Sequence, residues 1–281
     1  MPDFADLRMK NDTSVIFEEK RETGMIINDT FRFLRSEWKP LLKLISVYIA
    51  PFLIVNAGMK VFVQMKIMAA GNIIQPTDPE KFMEQMSGLS VNLLMYTVFA
   101  IFIQSLYVAI ICSYIKHYVI FGKNNFSLDE VKTMLFANSK KAVSMGFAAA
   151  LVCFLGLFLC IAPGIAASIF LSLAVYVAIF EDKDTASSLQ SSLFLVRMNV
   201  GSTLALLLLG ILLAWLASFA ATIPIYIVEM FSPLPDNYLE LPQWYWWLSG
   251  IASLIGSLAS IFMFVFLAFQ YFNFRIRMEN R

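Results

Sequence analysis

Six long apolar stretches, each nearly free of charged residues, constrain this chain more than any other feature of its sequence. A bilayer hydrocarbon core about 30 Å thick requires roughly 20 apolar residues in helical form. The stretches have about that length and cover residues 41–62, 90–115, 142–162, 164–180, 201–228 and 247–272. The sequence therefore predicts an all-α polytopic membrane protein with six transmembrane helices.

The composition agrees with a membrane protein. Hydrophobic residues make up 59% of the chain, charged residues make up 15%, and the mean hydropathy is +0.71. Soluble domains are about 45–50% apolar and about 25% charged. The formal net charge of +1 gives no general attraction to polyanions. We therefore expect membrane lipids and other membrane proteins as partners, and no nucleic acid.

The basic residues predict which side of the membrane each end of the chain occupies. With six spans both termini lie on one face, and that face receives 18 Lys and Arg residues against three on the other. Cytoplasmic loops carry the excess of Lys and Arg. The sequence thus predicts a cytoplasmic (inner) membrane protein with both termini cytoplasmic. Because the first 40 residues lack an apolar core like that of a signal peptide, we expect the first span to act as the insertion signal.

A short amphipathic segment precedes each odd-numbered span on the predicted cytoplasmic side. In the second segment, Ser127 and Glu130 have the spacing of a helix-capping box, and Asp184 is a predicted N-cap of the third segment. Apolar residues at helical spacing define the first and third segments: Phe31, Leu34, Trp38, Leu189, Leu193 and Val196. Such helices lie in the membrane plane with the apolar face down. About three interfacial helices are predicted, although polytopic proteins commonly have some amphipathic cytoplasmic loops.

These segments divide the chain into similar parts. A single transmembrane domain is predicted over 25–275, between a polar cytoplasmic tail at 1–24 and a second cytoplasmic tail at 276–281. Within the domain, each interfacial helix and the transmembrane hairpin after it form one pseudo-repeat unit. The three units cover 25–116, 117–180 and 181–275.

Two groups of residues predict helix turns and helix contacts. Pro163 and Gly164 separate the third and fourth stretches, and they predict a tight hairpin because proline lacks a backbone donor and glycine permits a sharp reversal. Small residues at four-residue spacing in the last span let helix backbones approach closely. These packing positions are Ser253, Gly256, Ser257 and Ser260. We predict contacts between the fifth and sixth spans, with a dimer interface as the alternative.

The segment from Leu159 to Leu209 resembles the membrane-domain family named after glycerophosphoryl diester phosphodiesterases. The resemblance follows a Pro-Gly hairpin, an apolar span, the acidic residues Glu181 and Asp182, and a Ser-containing amphipathic helix that ends near Arg197. It covers roughly residues 120–210 clearly and the rest only by topology. The resemblance implies a multipass membrane module. It does not imply phosphodiesterase activity, which belongs to a separate soluble domain in the proteins that gave the family its name.

The residue types that support most catalysis are scarce. His117 is the single histidine, and the three cysteines are Cys112, Cys153 and Cys160. Metal sites usually need several such ligands or a compact carboxylate cluster. We expect an interfacial histidine and thiols that pack as small apolar groups. No catalytic, metal-binding or cofactor-binding residue is predicted.

Glu181, Asp182 and Asp184 form the densest acidic group. Such carboxylates could act as ligands of a divalent cation. Because Lys183 lies among the three acidic residues, a solvated loop is the preferred interpretation.

Two functions remain open at this level. The first is a non-enzymatic integral membrane protein that acts as an assembly or support module for membrane partners. The second is a carrier or shaper for lipids or other amphiphilic small molecules, because Pro51 and Pro224 interrupt spans and broken helices can line cavities. An enzyme ranks third.

Overall fold

A computed structural model describes residues 15–71, 79–123, 125–231 and 241–279. This part of the chain is 89% helical and contains no strand. Its helices are α1 (Thr23–Tyr48), α2 (Ala50–Gly71), α3 (Pro79–Phe121), α4 (Leu128–Leu159), α5 (Ile161–Phe170), α6 (Ala174–Phe180), α7 (Thr185–Arg197), α8 (Val200–Phe231), α9 (Gln243–Ala259) and α10 (Ile261–Glu279).

Six segments of the described chain are long and apolar enough to cross a membrane. They are Ala50–Met68, Met86–Phe121, Leu128–Leu159, Ile161–Phe180, Val200–Phe231 and Gln243–Glu279. The prediction of an all-helical chain with six membrane-length apolar segments is thereby confirmed.

The first span begins later than the sequence analysis predicts. Residues 41–48, assigned there to the span, instead complete α1, and three of them, Leu41, Leu44 and Ile45, are buried. The helix is interrupted at Ile49, and Pro51 lies in the first turn of α2. A proline is tolerated there because the first amide groups of a helix have no intrahelical partner.

The second predicted interfacial segment is continuous with the third span. Both belong to α4, which begins with the predicted capping box: the Glu130 amide donates to the Ser127 hydroxyl, and the Ser127 amide donates to the Glu130 carboxylate. The capping box is confirmed. The predicted boundary between the two helices is not present, since no turn residue interrupts α4 between Leu128 and Leu159.

The hairpin between α4 and α5 reverses at a different residue from the predicted one. Cys160 has an extended backbone (φ −171°, ψ 154°) and forms the whole connection between the two helices. Pro163 and Gly164 lie in the first turn of α5, where proline costs no hydrogen bond. Gly164 and Gly156 let α4 and α5 pack closely. A Cβ on Gly156 would lie only 3.0 Å from the Cα of Gly164.

Contacts divide the chain into two compact units. Unit 1 comprises residues up to Val47, Gln104–Gly210 and residues from Phe262 onward, and unit 2 comprises Tyr48–Ile103 and Ile211–Ile261. Both units combine segments that are distant in the sequence. The three predicted pseudo-repeat units follow the order of the chain instead, and they stay a prediction.

Unit 2 is built on close approach between helices. Gly256 of α9 faces Ser218 of α8, and the Ser218 hydroxyl donates to the Ala252 carbonyl at 3.0 Å. On the α2 side, the Ser249 hydroxyl donates to the Gln64 side-chain oxygen at 3.2 Å. The contact predicted between the fifth and sixth spans is therefore present, and α9 uses a neighbouring stripe of its surface against α2.

Candidate functional site

The most distinctive site of unit 1 is the non-helical segment before α1, residues 15–22, which packs among its helices. Val15, Phe17 and Arg21 are all buried, although the sequence analysis assigned them to a polar tail. Apolar burial explains the difference, because the Phe17 ring packs against α3 and α10, and the Val15 amide donates to the Tyr118 hydroxyl of α3 at 3.0 Å. Residues 1–14 of the predicted tail lie outside the described residues, as do residues 280 and 281 of the C-terminal tail.

Phe17 occupies a pocket of aromatic rings. Its ring stacks on Phe269 with a centroid distance of 4.2 Å, and it meets Phe33, Tyr118 and Phe272 edge-on at 5.1, 5.9 and 5.6 Å. Stacked and edge-to-face arrangements of this kind favour aromatic packing beyond the area that they bury. The pocket joins the non-helical segment to α1, α3 and α10.

Arg21 is the charged centre of the same segment and is only 3% exposed. Its Nε donates to the Asp29 carboxylate at 2.7 Å, and its Nη1 donates to the carbonyl oxygens of Phe17 and Glu19 at 3.0 and 3.1 Å. The guanidinium also lies 5.2 Å from the centre of the Phe269 ring. A buried cation is tolerated where a carboxylate and several acceptors replace its water.

The C-terminal helix fixes the backbone of this segment. The Arg21 amide donates to the Asn273 side-chain oxygen at 2.9 Å, and Arg277 donates to the Arg21 carbonyl at 2.8 Å. Arg277 also donates to Asn273 at 3.2 Å. The two ends of the described chain therefore meet within unit 1.

Glu37 is a second buried charge, also 3% exposed. Its carboxylate accepts hydrogen bonds from the Tyr114 hydroxyl at 2.6 Å and from the Ser36 hydroxyl at 3.1 Å. Lys123 lies 3.2 Å from the same carboxylate. The sequence analysis placed no functional residue here. A detectable signal was present, because Glu37 falls at helical spacing between the buried residues Phe33 and Leu41.

A third charged group joins the end of α6 to α7 and α10. The Tyr271 hydroxyl donates to Glu181 at 2.9 Å, and Lys183 lies 2.6 Å from the same carboxylate. Asp182, in the left-handed region at φ 59°, pairs with Lys141 of α4. The solvated acidic loop of the sequence analysis is thus corrected for Glu181, whose side chain is only 17% exposed because it is bound by these partners.

Asp184 begins α7 as predicted. Its carboxylate accepts hydrogen bonds from the amides of Ala186 and Ser187 and from the Ser187 hydroxyl. These bonds favour the ionised carboxylate and lower the pKa of Asp184 below its ordinary value.

The predicted interfacial positions fall into two classes. Phe31 and Trp38 are exposed, at 43% and 53%, whereas Leu34 packs inside unit 1. On α7, Val196 is buried and Leu193 is half-buried. Leu189 is half-buried and packs on a cluster of Met145, Ala174 and Ala178. The protein itself therefore covers part of each predicted apolar face.

The predicted packing positions in the last span lie close to other backbone groups. Ser253 is buried, and its carbonyl accepts the Ser257 hydroxyl at 2.8 Å. Ser260 is also buried and donates to the Ser257 carbonyl at 2.5 Å. Of the four predicted positions, Gly256 forms the contact with α8.

His117 is buried within the protein, and its predicted position at the membrane interface stays a prediction. Its Nδ1 lies 3.0 Å from the Ser113 carbonyl oxygen, and the Ser113 hydroxyl accepts a hydrogen bond from Asn138 at 2.8 Å. These contacts join α3 to α4 within unit 1. In the described part of the chain, no three or more His, Cys, Asp or Glu side chains group in a way that could hold a metal ion.

Comparisons with family models, with curated proteins and with solved structures give no match for this chain.

Proposed function

We propose that this chain is a non-enzymatic integral membrane protein that acts as an assembly or support module for other proteins of its membrane. The observation that carries the proposal is the filled interior of unit 1. There the side chains of α3, α6 and α10 pack against one another, and their polar groups bond within the protein.

The tyrosines illustrate how that interior is filled. Tyr107, Tyr176 and Tyr271 are among the largest fully buried side chains. The Tyr176 hydroxyl donates to the Phe264 carbonyl at 2.9 Å, and the Tyr271 hydroxyl is bound to Glu181. Packing of this density favours a structural role over a passage for a substrate, because a passage needs polar groups that face an open cavity.

The spans differ in how much of their surface the protein covers. Of the most apolar window in Met86–Phe121, 61% is buried, against 11% in Leu128–Leu159 and in Val200–Phe231. Exposed apolar side chains in the last two include Phe154, Phe158, Trp215 and Phe219. In a bilayer such faces contact lipid chains or neighbouring helices, so α4 and α8 are the helices through which we expect membrane partners to associate.

The proposed location is the cytoplasmic membrane, with both termini and the charged groups of unit 1 on the cytoplasmic side. The uneven distribution of Lys and Arg supports this orientation. We also propose kinship with the membrane modules of the glycerophosphoryl diester phosphodiesterase family, on the strength of the pattern from Leu159 to Leu209.

The experiment that tests assembly is native mass spectrometry of the protein released gently from its own membrane, combined with photo-crosslinking. A photoreactive residue replaces Phe154 on α4 or Phe219 on α8, and the matched control replaces Phe121, which is 50% exposed on the better-covered α3. A partner of fixed stoichiometry that crosslinks from α4 or α8 and not from Phe121 is the expected result. Lipid adducts alone, with no protein partner, would contradict the proposal.

Unit 2 favours a second candidate function, a carrier or shaper of amphiphiles. Asn56 of α2 is buried, and its side-chain oxygen has no hydrogen-bond partner, as is also the case for the Thr30 and Ser188 hydroxyls of unit 1. Gln64 and Ser249 place another polar pair on α2 and α9, and Pro224 lies inside α8. Polar groups within spans can contact a lipid headgroup. Selective retention of one lipid class in the same mass spectra, lost in N56L, would support this candidate.

A further inference from the structure

Helix α1 separates its acidic from its basic residues. Its acids point inward: Asp29 binds Arg21 at 2.7 Å, and Glu37 is buried against Tyr114 and Lys123. Its four basic residues are all exposed: Arg32, Arg35, Lys39 and Lys43. The ion pairs of the described residues engage none of these four. The outward side of α1 therefore carries positive charge that its own carboxylates do not neutralise.

The four basic residues form one strip. At 100° per residue they fall within an arc of about 80° on the helix surface. We call Arg32, Arg35, Lys39 and Lys43 the basic strip. An arc of that width presents the four charges to a single surface.

An apolar ridge runs beside the basic strip. Phe31, Trp38 and Leu42 fall within an arc of about 40°, and their exposed fractions are 43%, 53% and 48%. Lys39 connects the two features, because its Nζ lies 5.8 Å from the centre of a Trp38 ring. A helix with an apolar ridge flanked by cations matches the composition of helices that lie in a membrane interface.

Helix α1 directly precedes a candidate membrane span. Helix α1 ends at Tyr48, and the first candidate span begins only two residues later, at Ala50. The inward side of α1 also contacts two other spans of unit 1: Glu37 binds Tyr114, and Phe33 lies 6.3 Å from Phe269 between ring centres. An outward side in this position would face the lipid headgroups once the spans lie in a bilayer.

We infer that the outward side of α1 is a binding surface for anionic phospholipids. The ridge inserts between lipid chains, and the basic strip binds the phosphate groups of anionic headgroups. Arginine suits this role because its planar guanidinium donates two parallel hydrogen bonds to a phosphate. The inference goes beyond the proposed assembly function and does not depend on it.

The test uses the fluorescence of Trp38, which lies beside the basic strip, as the reporter. In the full chain, Trp215, Trp244, Trp246 and Trp247 are replaced by Phe, so that Trp38 is the only tryptophan. The protein is reconstituted in phosphatidylcholine vesicles that contain a minor fraction of brominated phosphatidylglycerol or brominated phosphatidylcholine. Because both lipids carry the same brominated chains, the ratio of their quenching reports the local lipid composition and not the depth of the ring.

The expected ratio of phosphatidylglycerol to phosphatidylcholine quenching at Trp38 is about 5 or more at low salt, since one cation near an anionic surface contributes about fivefold. The ratio should fall below about 2 in R35Q/K39Q and also in 0.5 M NaCl, where screening is strong. K60Q/K66Q removes the same charge from exposed positions of α2 and should leave the ratio unchanged. A chain that retains only Trp215, on α8, should give a ratio close to 1.

Three results would overturn the inference. One is a ratio near 1 at Trp38 in the otherwise unaltered chain. Another is a high ratio that R35Q/K39Q and K60Q/K66Q reduce equally, because the net charge of the chain would then explain it. The third is the absence of quenching of Trp38 by either brominated lipid, since the apolar ridge would then lie away from lipid. Equal thermal unfolding of all variants ensures that these results do not reflect misfolding.

Discussion

In unit 1, the charged groups around Arg21, Glu37 and Glu181, which we call its charged end, are packed through aromatic rings and buried ion pairs. In unit 2, α8 and α2 pack against α9 through serine, glycine and alanine. In unit 1, Phe17 and Arg21 fill the space between helices with a large ring and a guanidinium. In unit 2, Gly256 and Ser218 allow two backbones to approach directly. The two kinds of contact suit different surroundings.

The proposed membrane location explains this difference. In hydrocarbon no hydrophobic force draws helices together, so close packing and short hydrogen bonds must hold them. Near water, aromatic burial stabilises the fold, and a charge is retained only with its partners. The Gly156–Gly164 contact of unit 1 fits this view, because Gly156 lies 15 residues, or roughly 22 Å of helix, beyond Lys141.

The largest effect is expected from R21A, which breaks the charged end of unit 1. Loss of the guanidinium leaves Asp29 without its cation and opens the space beside Phe269, and we expect a loss of about 3–5 kcal/mol in the free energy of unfolding. Unfolding by SDS in mixed micelles measures the change.

The matched control for R21A is R197A, which removes an exposed arginine from α7. Hydrogen exchange should locate the effect of R21A in residues 15–22 and in α10, with α9 unchanged. An R21A chain as stable as R197A would show that the buried ion pair does not hold unit 1 together.

A slightly smaller effect is expected from G256L, which breaks the close packing of unit 2. A Cβ on Gly256 would lie 3.0 Å from the Cβ of Ser218 and 3.3 Å from the Ala214 carbonyl oxygen, so a leucine must separate α8 from α9. We expect a loss of about 2–3 kcal/mol by the same SDS assay. G58L is the control, because the corresponding space at Gly58 of α2 is open. Equal losses in the two variants would refute close approach as the cause.

Removal of one hydrogen bond from each unit sharpens the comparison. Y271F deletes the bond to the Glu181 carboxylate, and S218A deletes the bond to the neutral Ala252 carbonyl. Bonds to charged groups contribute about 1.5–3 kcal/mol and neutral ones about 0.5–1.5 kcal/mol. We therefore expect Y271F to be the more destabilising of the two. The reverse order would show that the charged end of unit 1 is solvated in the membrane-bound protein.

The smallest effect concerns the cap of α7. Because the pKa of Asp184 is lower in the folded chain than its ordinary value, the ionised cap stabilises α7 fully above about pH 4. That contribution is lost as the pH falls through the lowered pKa. D184N should keep much of the cap and lose its pH dependence, whereas D184A should lose both. Hydrogen exchange of the α7 amides, corrected for intrinsic rates, measures this, and an identical pH profile in D184N would contradict it.

Local sequence signals predicted several details correctly. The capping box at Ser127 and Glu130 and the N-cap at Asp184 depend on residues within three positions of one another, so neighbouring residues suffice to specify them. The Gly256 stripe likewise marked a helix contact, because in hydrocarbon small residues have few other uses.

Positions that depend on a choice of helix face were harder to predict. On α1 the sequence analysis grouped Phe31 and Trp38 with Leu34, yet the protein covers Leu34 and leaves the other two exposed. Glu37 was not singled out by the sequence analysis, and it is buried. A helix with apolar residues on several sides offers more than one face, and only its neighbours decide which one is inside.

The sequence by itself determined that the described part of this chain contains six membrane-length apolar helical segments, since the thickness of the hydrocarbon sets the length of an apolar helix and its backbone must bond internally. Only the tertiary structure decided that Arg21 is buried, that Glu37 points inward, and that the chain reverses at Cys160. The physical reason is distance along the chain. Asn273 receives the Arg21 amide across 252 residues, and no local pattern encodes such a partner.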